Sequence, residues 1–336
     1  TAAQNSANTV IDPEMVTILQ EQVRVATIEN INAQEAAAQA NVVVNPNSIL
    51  DLSRATELEN VIVTEGFGTG AALGALTVVG IRGDATARLE GSFSQNVSLN
   101  YSEGLTDGIN LILDLGLIAG PAAAGNGGFF NVEPPAPILS IAHNSATLNI
   151  DSVGGGNVLP SASLGQATLL DLNVSGEAVL FISSSLNDAF MKGHPANITT
   201  TNTAGVDLTL NEFDDEIIFT GKTDADNHFN AIKNEKSVVI NDGNGNNEFV
   251  VKEGVSANIT TGNGRNEVNT DGTDSSVINT GTGNDTITSA KSESVTINTA
   301  GGNNNINTNS SVSVSITAGE GNDTISSINL LAGTAN

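Results

Sequence analysis

The chain has 336 residues, with 37 acidic side chains against 11 basic ones, and a formal charge of −26. Nucleic acid and anionic membrane surfaces are excluded as partners because both require cationic side chains; divalent cations are the natural counterions. Cysteine is absent and aromatics are 3% of the chain. No run of 18 apolar residues exists, so neither disulfides nor a transmembrane helix is expected.

Residues 1–45 read as an N-terminal arm, partly helical. Asp12-Pro13-Glu14 opens a helix with an Asp N-cap and a proline at the first helical position. Met15, Ile18, Leu19 and Val23 then share one face, and the Ala/Gln-rich stretch 32–40 favours helix. Residues 23–27 also alternate as a strand would. Such an arm docks on a neighbouring subunit or caps the β-body locally, and the residues leave both open. Residues 46–139 read as a β-rich domain, with strands predicted at 60–64, 75–81, 85–89, 96–101 and 109–117. Gly66-Phe67-Gly68-Thr69-Gly70 imitates a dinucleotide-binding turn, but the spacing is wrong and no βαβ alternation follows. It reads as a hairpin loop. The Gly/Ala/Pro stretch 119–137 marks a boundary or contact loop.

Residues 140–336 read as a parallel β-solenoid. Apolar rungs at 146–150, 170–176 and 196–199 are irregularly spaced. From about 238 the spacing is constant: Ile240, Ile259, Ile278, Ile297 and Ile316 recur every 19 residues. A fixed period without insertions means that each copy is one coil of a stack. Phe249, Val268, Ile287, Ile306 and Ile325 form a second apolar rank. Glycine pairs at 243/245, 262/264, 281/283 and 319/321 permit positive φ where the chain reverses. The fold class is therefore all-β: a C-terminal parallel β-helix or β-roll of 19-residue coils, preceded by the β-rich domain and the arm.

Asp214-Asp215-Glu216-Ile217 aligns with the later copies, placing Ile217 with Ile325 and Asp215 with Asp323. Residues 221–236 then read as an insertion. It carries Asp224 and Asp226, with Glu235 at EF-hand spacing, but Phe229 stands where that loop needs glycine. An acidic surface loop is the simpler reading.

Thr280-Gly281-Thr282-Gly283-Asn284-Asp285-Thr286-Ile287 and Ala318-Gly319-Glu320-Gly321-Asn322-Asp323-Thr324-Ile325 resemble the RTX nonapeptide repeat. That resemblance implies Ca²⁺ between adjacent coils, facing Asn247, Asn266, Asp285, Asn304 and Asp323, with Asn284 and Asn322 beside them. Asp214, Asp215, Asp224, Asp226 and Asp242 complete the candidate metal ligands. Only two of the five ion-facing residues are Asp, and calcium affinity follows carboxylate count. The same column can form an amide ladder that needs no ion. Residues 169–182 are similar to rungs of RTX-type bacterial S-layer proteins. The 19-residue period resembles the ice-binding RTX domain of a giant bacterial adhesin, although Arg265, Gly301 and Glu320 interrupt the ranks around Thr282 and Asn284.

His143, His194 and His228 are scattered, and no nucleophile elbow, zinc-binding helix or phosphate loop occurs. An enzyme is not expected. The combined expectation is an extracellular protein of the bacterial cell surface. It depends on calcium and self-assembles into an S-layer lattice or a matrix filament, with cell-surface polysaccharide as a further partner. The alternative is an adhesive or ligand-binding module of an RTX adhesin, ice-binding included.

Overall fold

A computed structural model describes residues 39–44, 48–55, 58–65, 75–91, 96–102, 108–115, 138–159, 161–165 and 167–328. The helix expected from Asp12 onward, the glycine turn at 66–74 and the 119–137 loop lie outside the described residues.

Every strand pairing among the described residues is parallel, and three sheets result. A long sheet of thirteen strands runs from Gln39–Val44 to Ser313–Thr317. It is faced first by a five-stranded N-terminal sheet, from Ser48–Asp51 to Ser161–Leu164. A nine-stranded C-terminal sheet, from Asn157–Leu159 to Thr324–Ser326, then takes over as the facing layer. The hand-over occurs within one coil, which contributes both Asn157–Leu159 and Ser161–Leu164. The fold is thus a parallel β-solenoid with almost no helix; a short 3₁₀ turn at Asn187–Ala189 is the exception among the described residues.

The isoleucine column forms as expected. Ile240, Ile259, Ile278, Ile297 and Ile316 are register partners in successive strands of the long sheet. Phe249, Val268, Ile287, Ile306 and Ile325 do the same in the C-terminal sheet. Strand residues alternate in and out; the two apolar ranks point inward and give each coil its core as far as Ile306, while Ile325 in the last described coil is exposed. Branched and aromatic residues suit these rows because neighbouring coils stack like on like.

Three sequence-based expectations are corrected. The stack begins well before residue 140: strands Asn60–Glu65, Thr86–Glu90 and Ile109–Asp114 belong to the same long sheet. The strand positions expected between 60 and 117 are present, but consecutive strands lie in different sheets rather than in hairpins. Asn60–Glu65 and Ala75–Ile81, which flank the expected hairpin loop, are therefore not paired with each other. Residues 39–44, assigned to the arm, pair in parallel with Asn60–Glu65. Finally, 221–236 is no insertion. It contains His228–Ile232, the C-terminal-sheet strand of an ordinary coil. Ile217 lies in the long sheet opposite Val238, and Phe219 takes the isoleucine position opposite Ile240. Phe219 stacks on Phe229 with ring centroids 5.1 Å apart. The sequence alignment failed there because these coils are longer by two residues and carry Phe where later coils carry Ile.

The outward side of the long sheet has its own regularity. One register rank reads Asn60, Thr86, Asn110, Asn149, Asn173, Thr199, Thr220, Asn241, Thr260, Asn279, Asn298 and Thr317. These twelve are all Asn or Thr and none is buried; the first strand of the sheet places Gln39 at the same register. Amide-to-amide bonds link several neighbours: Asn149 Nδ2 donates to Asn110 Oδ1 at 3.0 Å, Asn173 Nδ2 to Asn149 Oδ1 at 2.9 Å and Asn298 Nδ2 to Asn279 Oδ1 at 2.9 Å.

A candidate cation site in an asparagine ladder

The turn from the long sheet to the C-terminal sheet gathers ten of the twelve candidate metal ligands. In each regular coil it descends through two glycines and ends on the candidate ion-facing residue. Positive φ is confined to the second glycine, as at Gly264 (φ +126°). The first glycine serves close approach instead: a Cβ on Gly281 would lie 2.6 Å from the Gly262 backbone of the preceding coil. This corrects the expectation that both glycines are needed for chain reversal.

Asn247, Asn266, Asp285 and Asn304 are all buried and form a continuous vertical ladder. The Oδ1 of each accepts from the coil before it. Asn227 N–H donates to Asn247 Oδ1 at 3.0 Å, Asn247 Nδ2 to Asn266 Oδ1 at 3.1 Å and Asn266 Nδ2 to Asp285 Oδ1 at 3.0 Å. The Asp285 N–H then donates to Asn304 Oδ1 at 3.0 Å, and Asn304 Nδ2 to Asp323 Oδ1 at 2.9 Å. Asp323, in the last described coil, is half-buried.

The amide nitrogens also satisfy the turn carbonyls. Asn266 Nδ2 lies 3.4 Å from Gly262 O and 3.3 Å from Gly264 O. Asn304 Nδ2 lies 3.3 Å from Gly302 O and 3.1 Å from Thr299 Oγ1. At these coils the amide N–H groups supply donors to the turn oxygens. Asp285 differs. Its Oδ2 replaces the amide nitrogen, is buried, and accepts no hydrogen bond from any described residue. Thr280 Oγ1, the coil equivalent of Thr299 Oγ1, is likewise buried without a partner. Thr261 Oγ1, in the Asn266 coil, is unpartnered as well, so the feature that sets the Asp285 coil apart is the orphaned Oδ2, where neighbouring coils have a satisfied amide. This donor set, a carboxylate with neutral oxygens, suits Ca²⁺. It carries one carboxylate, and among the described residues no three His, Asp or Glu side chains converge as a metal cluster.

The remaining candidates separate. Asn284 and Asn322 are exposed and belong to an outer ladder, in which Asn303 N–H donates to Asn284 Oδ1 and Asn322 N–H to Asn303 Oδ1, each at 2.8 Å. Asp224 and Asp226 open outer ladders by accepting from Asn244 Nδ2 at 2.9 Å and from Asn246 N–H at 2.7 Å. Asp242 accepts from Asn227 Nδ2 at 3.0 and 3.1 Å and from Gly243 N–H at 2.9 Å; burial pushes its carboxyl up to about 6 despite those bonds. Asp214 and Asp215 sit at the opposite corner, before strand Ile217–Gly221, and are not brought to the ladder. Asp214 faces Lys192 at 3.9 Å, and Asp215 accepts from Gly193 N–H.

Sequence reasoning missed Asn227 and Thr280. Asn227 extends the ladder, with Oδ1 accepting from Val206 N–H at 3.2 Å, but it lies 20 rather than 19 residues before Asn247. His228 was passed over as isolated. Its Nδ1 lies 2.9 Å from Asp207 Oδ2, and its Nε2 3.6 Å from Glu248 Oε1. Burial depresses the imidazole, yet the Asp207 hydrogen bond and the charges of Asp207, Glu248 and Glu267 raise it overall. His143 is buried, and burial lowers its basicity. No helix among the described residues is long and apolar enough to cross a membrane. Comparison with family models, curated proteins and solved structures finds no match for this chain.

Proposed function

We propose that the protein is a secreted, calcium-stabilised rod of the bacterial cell surface that self-assembles into a lattice or matrix filament and catalyses no reaction. The observation carrying the calcium part is the break in the amide ladder at Asp285, where a buried carboxylate oxygen has no donor. Cations there and along the acidic turns relieve the self-repulsion of a chain of charge −26. The RTX-like turns at 280–287 and 318–325 support the same reading, as does the length of the thirteen-stranded parallel stack. Asn247, Asn266 and Asn304 act as ion-independent staples, so calcium tunes a fold that the amides already hold.

The test is electron microscopy of assembly and calorimetric melting in EGTA and in millimolar CaCl₂. Calcium should raise the melting temperature and promote ordered particles; if neither responds, the calcium mechanism is wrong. A second reading is an adhesive module of a larger protein. The uncharged outer face of the last five strands of the long sheet favours it, and a strictly monomeric protein at high concentration with calcium present would select it.

A further inference from the structure

We propose that the outer face of the long sheet binds a linear, uncharged, hydroxyl-rich polysaccharide laid along the solenoid axis on the Asn/Thr rank. The inference rests on the cell-surface reading and adds to it the face used and the ligand class. The rank runs unbroken through twelve strands from Asn60 to Thr317, about 53 Å at the spacing of paired strands. Asn and Thr make up under a quarter of the chain, and the loops between rank members differ greatly in length. Amide-to-amide bonds favour asparagine at its Asn–Asn steps, but they do not require a polar residue at every remaining strand, because outward positions on a sheet are otherwise free to vary. The flanking ranks do vary: Asp171, Ile218 and Val239 stand on one side, Arg88, Asp151 and Lys222 on the other.

Order in one dimension selects a ligand ordered in one dimension. An ice plane needs matched ranks in both directions, and the flanks do not supply them. Charge sets the ligand's sign. In the last five strands of the sheet, the fifteen outward positions between Ser237 and Thr317 hold only Ser, Thr, Asn and Val, in a chain with 37 acidic residues. Upstream, the flanking carboxylates repel an anionic polymer. These fifteen positions also lack the aromatic anchors of an interface between protein copies. What remains is hydrogen bonding by amides and hydroxyls. Each Asn amide has two N–H donors, and the ladder uses one.

The test is affinity gel electrophoresis of the full chain in calcium buffer against dextran, mannan, laminarin and hydroxyethyl cellulose, with alginate as the anionic control. At least one neutral polymer should retard the protein, and alginate should not. The variant carrying N241D and N279D should bind about tenfold or more weakly at a closely similar melting temperature, since N279D keeps the Oδ1 that accepts from Asn298 Nδ2. Thr288→Glu, on the C-terminal sheet, should bind normally. If the double variant does not fold, Thr260→Glu with N279D at the exposed end carries the test. Retardation by no neutral polymer overturns the inference, and so does equal binding by the rank variants. It is also overturned if those variants abolish thermal hysteresis or a dimer instead, which would make the face an ice surface or a self-contact. Calcium-dependent assembly is scored on the same preparations. Intact assembly without glycan binding rejects this inference alone, and glycan binding without assembly rejects only the assembly reading.

Discussion

Replacing Asp285 by asparagine turns the ladder into its own control experiment. In the wild type, Asp285 Oδ1 accepts from Asn266 N–H at 2.9 Å and from Asn266 Nδ2 at 3.0 Å, while buried Oδ2 has no donor. The substituted amide would keep both bonds through its own Oδ1. Its Nδ2 would stand where Oδ2 does now and reach Asn304 Oδ1, as Asn247 Nδ2 reaches Asn266 Oδ1 at 3.1 Å. Leaving a buried acceptor unsatisfied costs about 1–3 kcal/mol, and a neutral hydrogen bond contributes about 1 kcal/mol. Weaker acceptance by a neutral oxygen offsets part of this gain. In EGTA, Asp285→Asn should therefore stabilise the protein by about 2 kcal/mol, a rise in Tm of roughly 3 °C for a chain of this size. In calcium the order narrows or reverses, because the wild type alone gains binding energy, about 2.7 kcal/mol at a hundredfold excess over Kd. The assay is urea unfolding and calorimetry of both proteins in EGTA and across a calcium titration. A variant less stable than wild type in EGTA would refute the orphaned-oxygen argument. An unchanged calcium response in the variant would remove Asp285 as the ion's ligand.

Gly264→Ala should destabilise by more than about 2 kcal/mol, since its φ is +126° and a Cβ would lie 2.1 Å from Gly245 O. Gly193→Ala, also at positive φ but with nothing within 4 Å, should cost less, and urea midpoints compare the two. For Asp242, burial raises the folded pKa from 3.8 to about 6. Its contribution to stability is then fully present below pH 3.8 and is lost as pH rises through about 6. That shift corresponds to about 3 kcal/mol, so Asp242→Asn should be the more stable protein at pH 8 and show a flatter pH profile of unfolding between about pH 4 and 7. Ser310 holds φ +64° without being glycine; Ser310→Gly should stabilise by about 1 kcal/mol, read as a shift in thermal midpoint.

The sequence by itself determined the parallel coils from residue 238 onward. There the period is constant, so Ile240 and its successors announce a shared register and Phe249 through Ile325 a second one. It also located the turn that carries the ladder, because glycine-rich, Asn-rich turns recur just ahead of the second rank. The tertiary structure decided the rest, because a residue's partners in a parallel stack lie one whole coil away. Where coil length varies, as between Asn110 and Asn149 at 39 residues or Asn149 and Asn173 at 24, no local pattern reveals which residues meet. The Asn/Thr rank and the membership of Asn60–Glu65, Thr86–Glu90 and Ile109–Asp114 in the long sheet were hidden for that reason. The ladder's chemistry was hidden likewise: whether Asn266 holds an ion or a carbonyl depends on Gly262, Gly264 and Asp285, and only the stacked coils bring those oxygens to its amide.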